Sequence, residues 1–242
     1  MTRSLANKQA MKAAAFSLLL CAPAVYADGV VIDKVYHPYV DALENEIEYR
    51  SVFLDGGADY SSIDQKHQLS FGRSLGESFF GEVYLVGART PTKGFDLEAW
   101  ELEFKWQLTE QGEYSADWGL MFEYEEELDV DINEFTVGLL AEKELGRWSA
   151  TANLYLIQEW GNAIQDEFET AVALQARYRY SRVFEPAIEL YAGQNTIGLG
   201  PAFVGNMSLG VRKSLNWEAG LIFGLDDTTP DSTFRVLLEY EF

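Results

Sequence analysis

The chain has 242 residues, with 18 Lys and Arg against 39 Asp and Glu, a formal charge of −21, 14% aromatic residues and one cysteine. That acidity excludes nucleic acid and anionic phosphate surfaces as partners held by broad electrostatics. The aromatic content excludes an acidic disordered chain.

Residues 1–27 carry Arg3, Lys8 and Lys12, then an apolar stretch over residues 13–25, with small residues at Val25 and Ala27. This is the layout of a secretory signal peptide, and its apolar run is too short for a spanning helix. Its removal would take the formal charge from −21 to −24, because three basic and no acidic residues go with it. Cys21 lies inside this leader behind Leu20, where lipidation asks for a small residue, so the mature chain is expected to carry no thiol, disulfide or lipid anchor. Residues 28–42, DGVVIDKVYHPYVDA, hold Pro38 and are short, so they read as a periplasmic tail or a plug in a lumen. His37 stands there without a second histidine or cysteine nearby, which favours a surface residue over a metal ligand.

From residue 43 to 242 the pattern changes to segments of roughly ten residues that alternate in polarity, bounded by Gly, Asp, Asn, Ser or Pro. Twelve are predicted, over about 43–54, 65–74, 79–88, 97–107, 114–125, 134–145, 147–160, 167–180, 184–193, 202–213, 216–225 and 232–242. Connections after the even-numbered segments read as short and those after the odd-numbered ones as longer, the rhythm of periplasmic turns and extracellular loops. Trp100, Trp106, Trp118, Trp148, Trp160 and Trp217 all fall on the apolar face, most of them near segment ends. Amphipathic rings in those places suit a bilayer interface better than a soluble core. The predicted fold class is therefore all-β, a transmembrane antiparallel up-and-down barrel of about twelve strands, expected to be monomeric.

The last segment, TFRVLLEYEF, sets Phe234, Val236, Leu238, Tyr240 and Phe242 on one face and Arg235, Glu239 and Glu241 on the other. It resembles the C-terminal signal that outer-membrane barrels present to their assembly machinery. Segments DKVYHPYVDALENEIEYR, FKWQLTEQGEYSADWGL, LQARYRYSRVFEPAIELYAGQ and GLDDTTPDSTFRVLLEYEF resemble a group of small, uncharacterised, porin-like barrels of Gram-negative bacteria. The tyrosine- and glutamate-rich strands also resemble, in composition, outer-membrane transporters linked to aromatic compounds. These likenesses imply an outer-membrane location, with lipid, lipopolysaccharide and the barrel-assembly machinery as partners. They carry over no catalytic or binding residue.

The opposite face would line the barrel. It offers Glu44, Glu46, Glu48 and Arg50, then Glu101, Glu103, Lys105, Asp117, Glu123, Glu125, Glu142 and Glu159. Glu167, Glu169, Gln175, Arg177, Arg179, Glu189, Arg212, Glu218, Arg235, Glu239 and Glu241 complete it. Acid outnumbers base, and no arginine ladder is present to guide an acidic oligosaccharide. Two readings stay open: a channel for small cations or neutral polar solutes, and a non-conducting barrel whose lumen is a network of charge pairs. Glu44, Glu46, Glu103, Arg177, Arg179, Glu239 and Glu241 fall at similar depth near the periplasmic mouth and form the candidate charge cluster.

Enzyme chemistry, cofactors and metals are not expected. Ser51 and His67 share the lipid-facing parity and would approach one another if the first hairpin closes, but no orienting acid or amide accompanies them. Asp129, Asp131 and Asn133 imitate the start of a calcium loop, and Glu134 stands where its turn needs glycine.

Overall fold

The computed structural model describes residues 32–56, 64–90 and 94–242; the leader read in residues 1–27 lies outside them. The strands are β1 Asn45–Asp55, β2 Gln65–Ser74, β3 Phe79–Thr90, β4 Gly94–Gln107, β5 Asp117–Glu127 and β6 Ile132–Leu145. They continue as β7 Trp148–Gly161, β8 Glu167–Tyr178, β9 Glu185–Ala192, β10 Ile197–Gly210, β11 Lys213–Gly224 and β12 Ser232–Glu241. Each strand pairs antiparallel with the next, and β12 pairs with β1 from Glu46↔Glu241 to Asp55↔Ser232. The sheet is closed, so no edge is left unpaired. The mouth that holds residues 45 and 241 is called the inner mouth below.

Side chains alternate across each strand, and the alternation sorts them by solvent. Ile47, Leu69, Leu85, Leu102, Trp118, Leu139, Leu156, Leu174, Ile188, Phe203, Leu221 and Leu238 give every strand an exposed apolar residue. A continuous apolar belt of this kind is stable in hydrocarbon and not in water. Aromatic contacts tie neighbouring strands on this surface: Trp148 lies 5.0 Å from Tyr178, Trp100 5.5 Å from Tyr124, and Phe79 5.6 Å from Trp106, centroid to centroid. The protein is an outer-membrane type of barrel, with Tyr240 and Phe242 stacked at 5.5 Å at its closing end.

Three local departures from the predicted pattern have physical causes. β10 begins at Ile197 rather than near residue 202, because Pro201 is tolerated within the strand. It pairs with Ile188 of β9, while the ladder to β11 passes from Leu199↔Phe223 to Ala202↔Gly220. The missing N–H of proline therefore falls where that ladder is open. In β4 the register slips by one residue beside Val86 and Gly87, a bulge that leaves both Phe95 and Trp100 outside despite their odd separation. The short-turn rhythm also fails. Residues 108–116 make a long connection at the inner mouth, whereas residues 128–131 and 193–196 are short ones at the outer mouth. Where a turn is tight, glycine serves it: Gly146 opens the β6–β7 turn at φ 70°, a conformation that two-residue hairpins require. Arg212, expected in the lumen, sits in the β10–β11 turn, exposed, at φ 55°.

Candidate functional site: an acid-lined lumen divided by residues 32–42

Residues 32–42 pass through the barrel interior and reach the inner mouth, where Leu43 turns the chain into β1 at φ 67°. Short side-chain grips hold this segment. Arg50 donates to Asp33, and Lys34 Nζ donates to Glu48 Oε2 at 2.7 Å. Asn153 on β7 acts as an artificial strand neighbour: the Tyr36 N–H donates to its Oδ1 and its Nδ2 donates to the Tyr36 carbonyl, each at 2.8 Å. Lower down, His37 Nδ1 meets Glu142 Oε2 at 2.5 Å, Tyr39 donates to Asp117 at 2.9 Å, and the Val40 N–H donates to Gln107 at 2.7 Å. His37 is thus a lumen residue bound to a carboxylate, not a surface one. Its pairing was invisible beforehand because Glu142 is far away in sequence.

The seat is partly apolar. Ile32 and Val35 pack on Ala173, Tyr191 and Ile222, and Tyr36 packs on Met121 and Leu140. A Cβ on Gly119 would come within 3.1 Å of Pro38, so glycine gives the segment room to pass. These inward Met, Leu and Ile side chains correct the expectation of a wholly polar lining.

The segment divides the lumen. An outer cavity of about 690 Å³ and an inner cavity of about 470 Å³ share Lys34 and Tyr36 as common wall. Around the outer cavity eleven carboxylates stand against two lysines, Lys34 and Lys66. Part of that acid forms a continuous row. Glu101 on β4 faces Glu125 on β5, which faces Glu134 on β6, then Glu159 on β7 and Glu167 on β8. Direct cross-strand neighbours of like charge repel, so five in succession is an arrangement that folding alone does not favour.

All seven residues of the candidate cluster line the inner cavity: Glu44, Glu46, Glu103, Glu239 and Glu241, with Arg177 and Arg179. Glu46 lies opposite Glu241 in the closing ladder, and Glu48 opposite Glu239. An amide bridges two of these acids. Asn216 donates to Glu239 at 2.6 Å and to Glu241 at 2.5 Å. Arg177 reaches Glu185 at 3.4 Å and Glu142 at 3.6 Å, and Arg179 reaches Glu144 at 2.8 Å. Burial, and then the neighbouring Glu241 carboxylate, push the Glu44 carboxyl up to about 8. Two further basic or acidic residues at this mouth, Arg182 and Glu185, escaped the sequence reading because they fall at the β8–β9 turn, where parity gives no direction.

No protein-family model and no curated protein sequence matches the chain. Among solved structures it is similar to the KdgM porin in complex with disordered oligogalacturonate, at a TM-score of 0.56 and 12% identity over 81% of this chain and 99% of that one. It is also similar to the COG4313 outer membrane channel from Pseudomonas putida F1, at 0.56 and 12% over 89% and 99%. The chain has the outer-membrane porin-like barrel fold.

On the outer surface Ser51 does pair with His67 in register, with Oγ 2.8 Å from Nδ1. The same nitrogen also meets the Tyr49 hydroxyl at 2.9 Å, and the ring is packed by Phe53 and Phe95.

Proposed function

We propose that this barrel is a passive channel for small cations or neutral polar solutes, with residues 32–42 as its constriction. The observation that carries the reading is the pair of acid-lined cavities on either side of that segment inside a closed barrel. Carboxylates at a narrow, partly desolvated passage raise the local cation concentration and repel anions. The acidic oligosaccharide named for the KdgM complex does not fit this lumen. Arg50 and Arg235, the two fully buried arginines, are committed to Glu48 and Asp33 and to Glu189 and Glu218, and are not free to guide a polyanion.

A second reading, a closed barrel with a structural or surface role, is favoured by the apolar packing of Ile32, Val35 and Tyr36. Planar-bilayer recording separates the two. The full chain is expected to conduct weakly, and a variant lacking residues 32–42 more strongly. Silence from both proteins, each shown to be folded by heat-modifiable migration, would establish the closed barrel.

A further inference from the structure

Three carboxylates at the partition between the cavities are arranged as the ligands of one ion. Glu101 and Glu103 lie two residues apart on the inner face of β4, and Glu123 of β5 stands opposite Glu103. One oxygen from each comes within 4.8 Å of the others. Glu103 lines the inner cavity and Glu101 and Glu123 the outer one, so the group borders both cavities.

The surroundings do not neutralise it. Glu101 and Glu103 are 2% and 5% exposed, and among the described residues none of the three takes part in an ion pair. Three nearby cations are engaged elsewhere, Lys34 with Glu48, Arg50 with Glu48 and Asp33, and Lys66 with Glu125 at 3.9 Å, while Lys105, two residues from Glu103, lies over the Phe80 ring and makes no ion pair with the three. Glu101 Oε2 accepts from Gln68 at 3.2 Å, and Glu103 is hydrogen-bonded by Tyr36. Even so, Glu103 Oε2 is buried with no partner. So is the hydroxyl of Tyr84, a fully buried residue directly opposite Glu101 in the β3–β4 ladder. Two buried oxygens left without partners beside three clustered carboxylates are costly unless something fills the space between them.

We propose that Glu101, Glu103 and Glu123 bind a calcium ion at the partition, with the Tyr84 hydroxyl beside it. All the available ligands are oxygens, which suits a hard cation. Calcium holds its ligands at about 2.3–2.6 Å, so two oxygens on one ion can stand up to roughly 5 Å apart. Magnesium asks for near-ideal octahedral geometry and keeps most of its water, which three side chains fixed on two strands of a partition suit less well than calcium's flexible coordination. No motif marks the site because it is assembled across two strands by register, unlike the loop-borne Asp129 and Asp131. The proposal deepens the channel reading, since an ion held there would sit in the path of other cations, but binding itself requires no conduction.

Titration calorimetry with calcium chloride on the folded, EDTA-stripped full chain in detergent tests it. One saturable site per chain is expected, weakened about tenfold or more in Glu103→Gln and in Glu123→Gln and unchanged in Asp129→Asn/Asp131→Asn. A second measurement needs no variant: terbium bound to the native protein should luminesce on aromatic excitation, and calcium should displace it. No saturable uptake by the native chain, with the carboxyls sharing protons instead, would overturn the proposal. Uptake lost only in the Asp129→Asn/Asp131→Asn variant would overturn it as well, by placing the ion in the outer connection. A chain that binds calcium without conducting would sink the channel and leave the site standing; one that conducts without binding would do the reverse.

Discussion

Arg235 is fully buried and holds two carboxylates at once. Its Nη2 and Nε meet the two oxygens of Glu189 at 2.5 and 3.2 Å, and its Nη1 meets Glu218 at 2.8 Å. Gln175 and Tyr191 donate to the same Glu189, so the network closes β8, β9, β11 and β12 against one another. Removing one member of such a network strands the rest in a poor solvent, at a cost of about 3–5 kcal/mol. Arg235→Gln is expected to lower the temperature at which the folded band converts to the unfolded one on a gel. An unchanged conversion temperature would mean that the lumen is wet enough to solvate Glu189. Glu44 makes a different prediction. Its folded value of about 8 lies above that of an ordinary glutamate, so it is neutral at pH 7 and acquires its charge as the pH rises toward 9. The folded chain holds the Glu44 proton more tightly than the unfolded one, so its contribution to stability is fullest below the ordinary glutamate range and falls as the pH rises from there to about 8. Cation preference should therefore increase between pH 7 and pH 9 in the native chain, and the increase should be smaller in Glu44→Gln.

At the scale of elements, the decisive one is the segment of residues 32–42. Its hold depends on Asn153, which supplies both halves of a backbone-like pair to Tyr36. Asn153→Ala leaves the Tyr36 N–H and carbonyl unsatisfied, a loss of about 1–3 kcal/mol for each buried group. The expected outcome is larger and noisier current, and faster proteolysis at Lys34, with the barrel still folded. Gly119→Leu should do the same from the opposite side, by occupying the space beside Pro38. If both variants keep native protease resistance, the segment is held by its apolar contacts instead. The strands themselves were legible in advance, because a period of two survives in nearly every one and directly reports which side a residue faces. What that period could not report is depth and partner. Leu140 and Met121 broke the polar alternation inward only because they form a seat for Tyr36, a residue that no local pattern connects to them. The bulge in β4 and the proline within β10 blurred boundaries for the same reason, being compensated by the neighbouring strand and not by their own. Parity and strand direction alone turn the seven cluster residues toward the inner cavity, with Glu103 at the partition and not at the mouth. The five-glutamate row needed the register of four ladders and was not legible in advance.

The whole molecule is a wall between two solvents, with the apolar belt facing lipid and an acid excess turned inward. The acid that marks the composition is concentrated on the lumen, where eleven carboxyl groups surround the outer cavity and Glu46, Glu239 and Glu241 border the inner one beside Glu44. Those acids raise the free energy of the folded barrel, and on the proposed channel reading cations in the path would offset it. The account thus ties the acid lining to the direction of ion preference. The measurement that meets it most directly is the reversal potential under a potassium chloride gradient, for the native chain and for Glu46→Gln/Glu239→Gln. The native protein should reverse on the potassium side, and the variant should move toward zero. A native reversal potential on the chloride side, or one that the double replacement leaves unmoved, would contradict it.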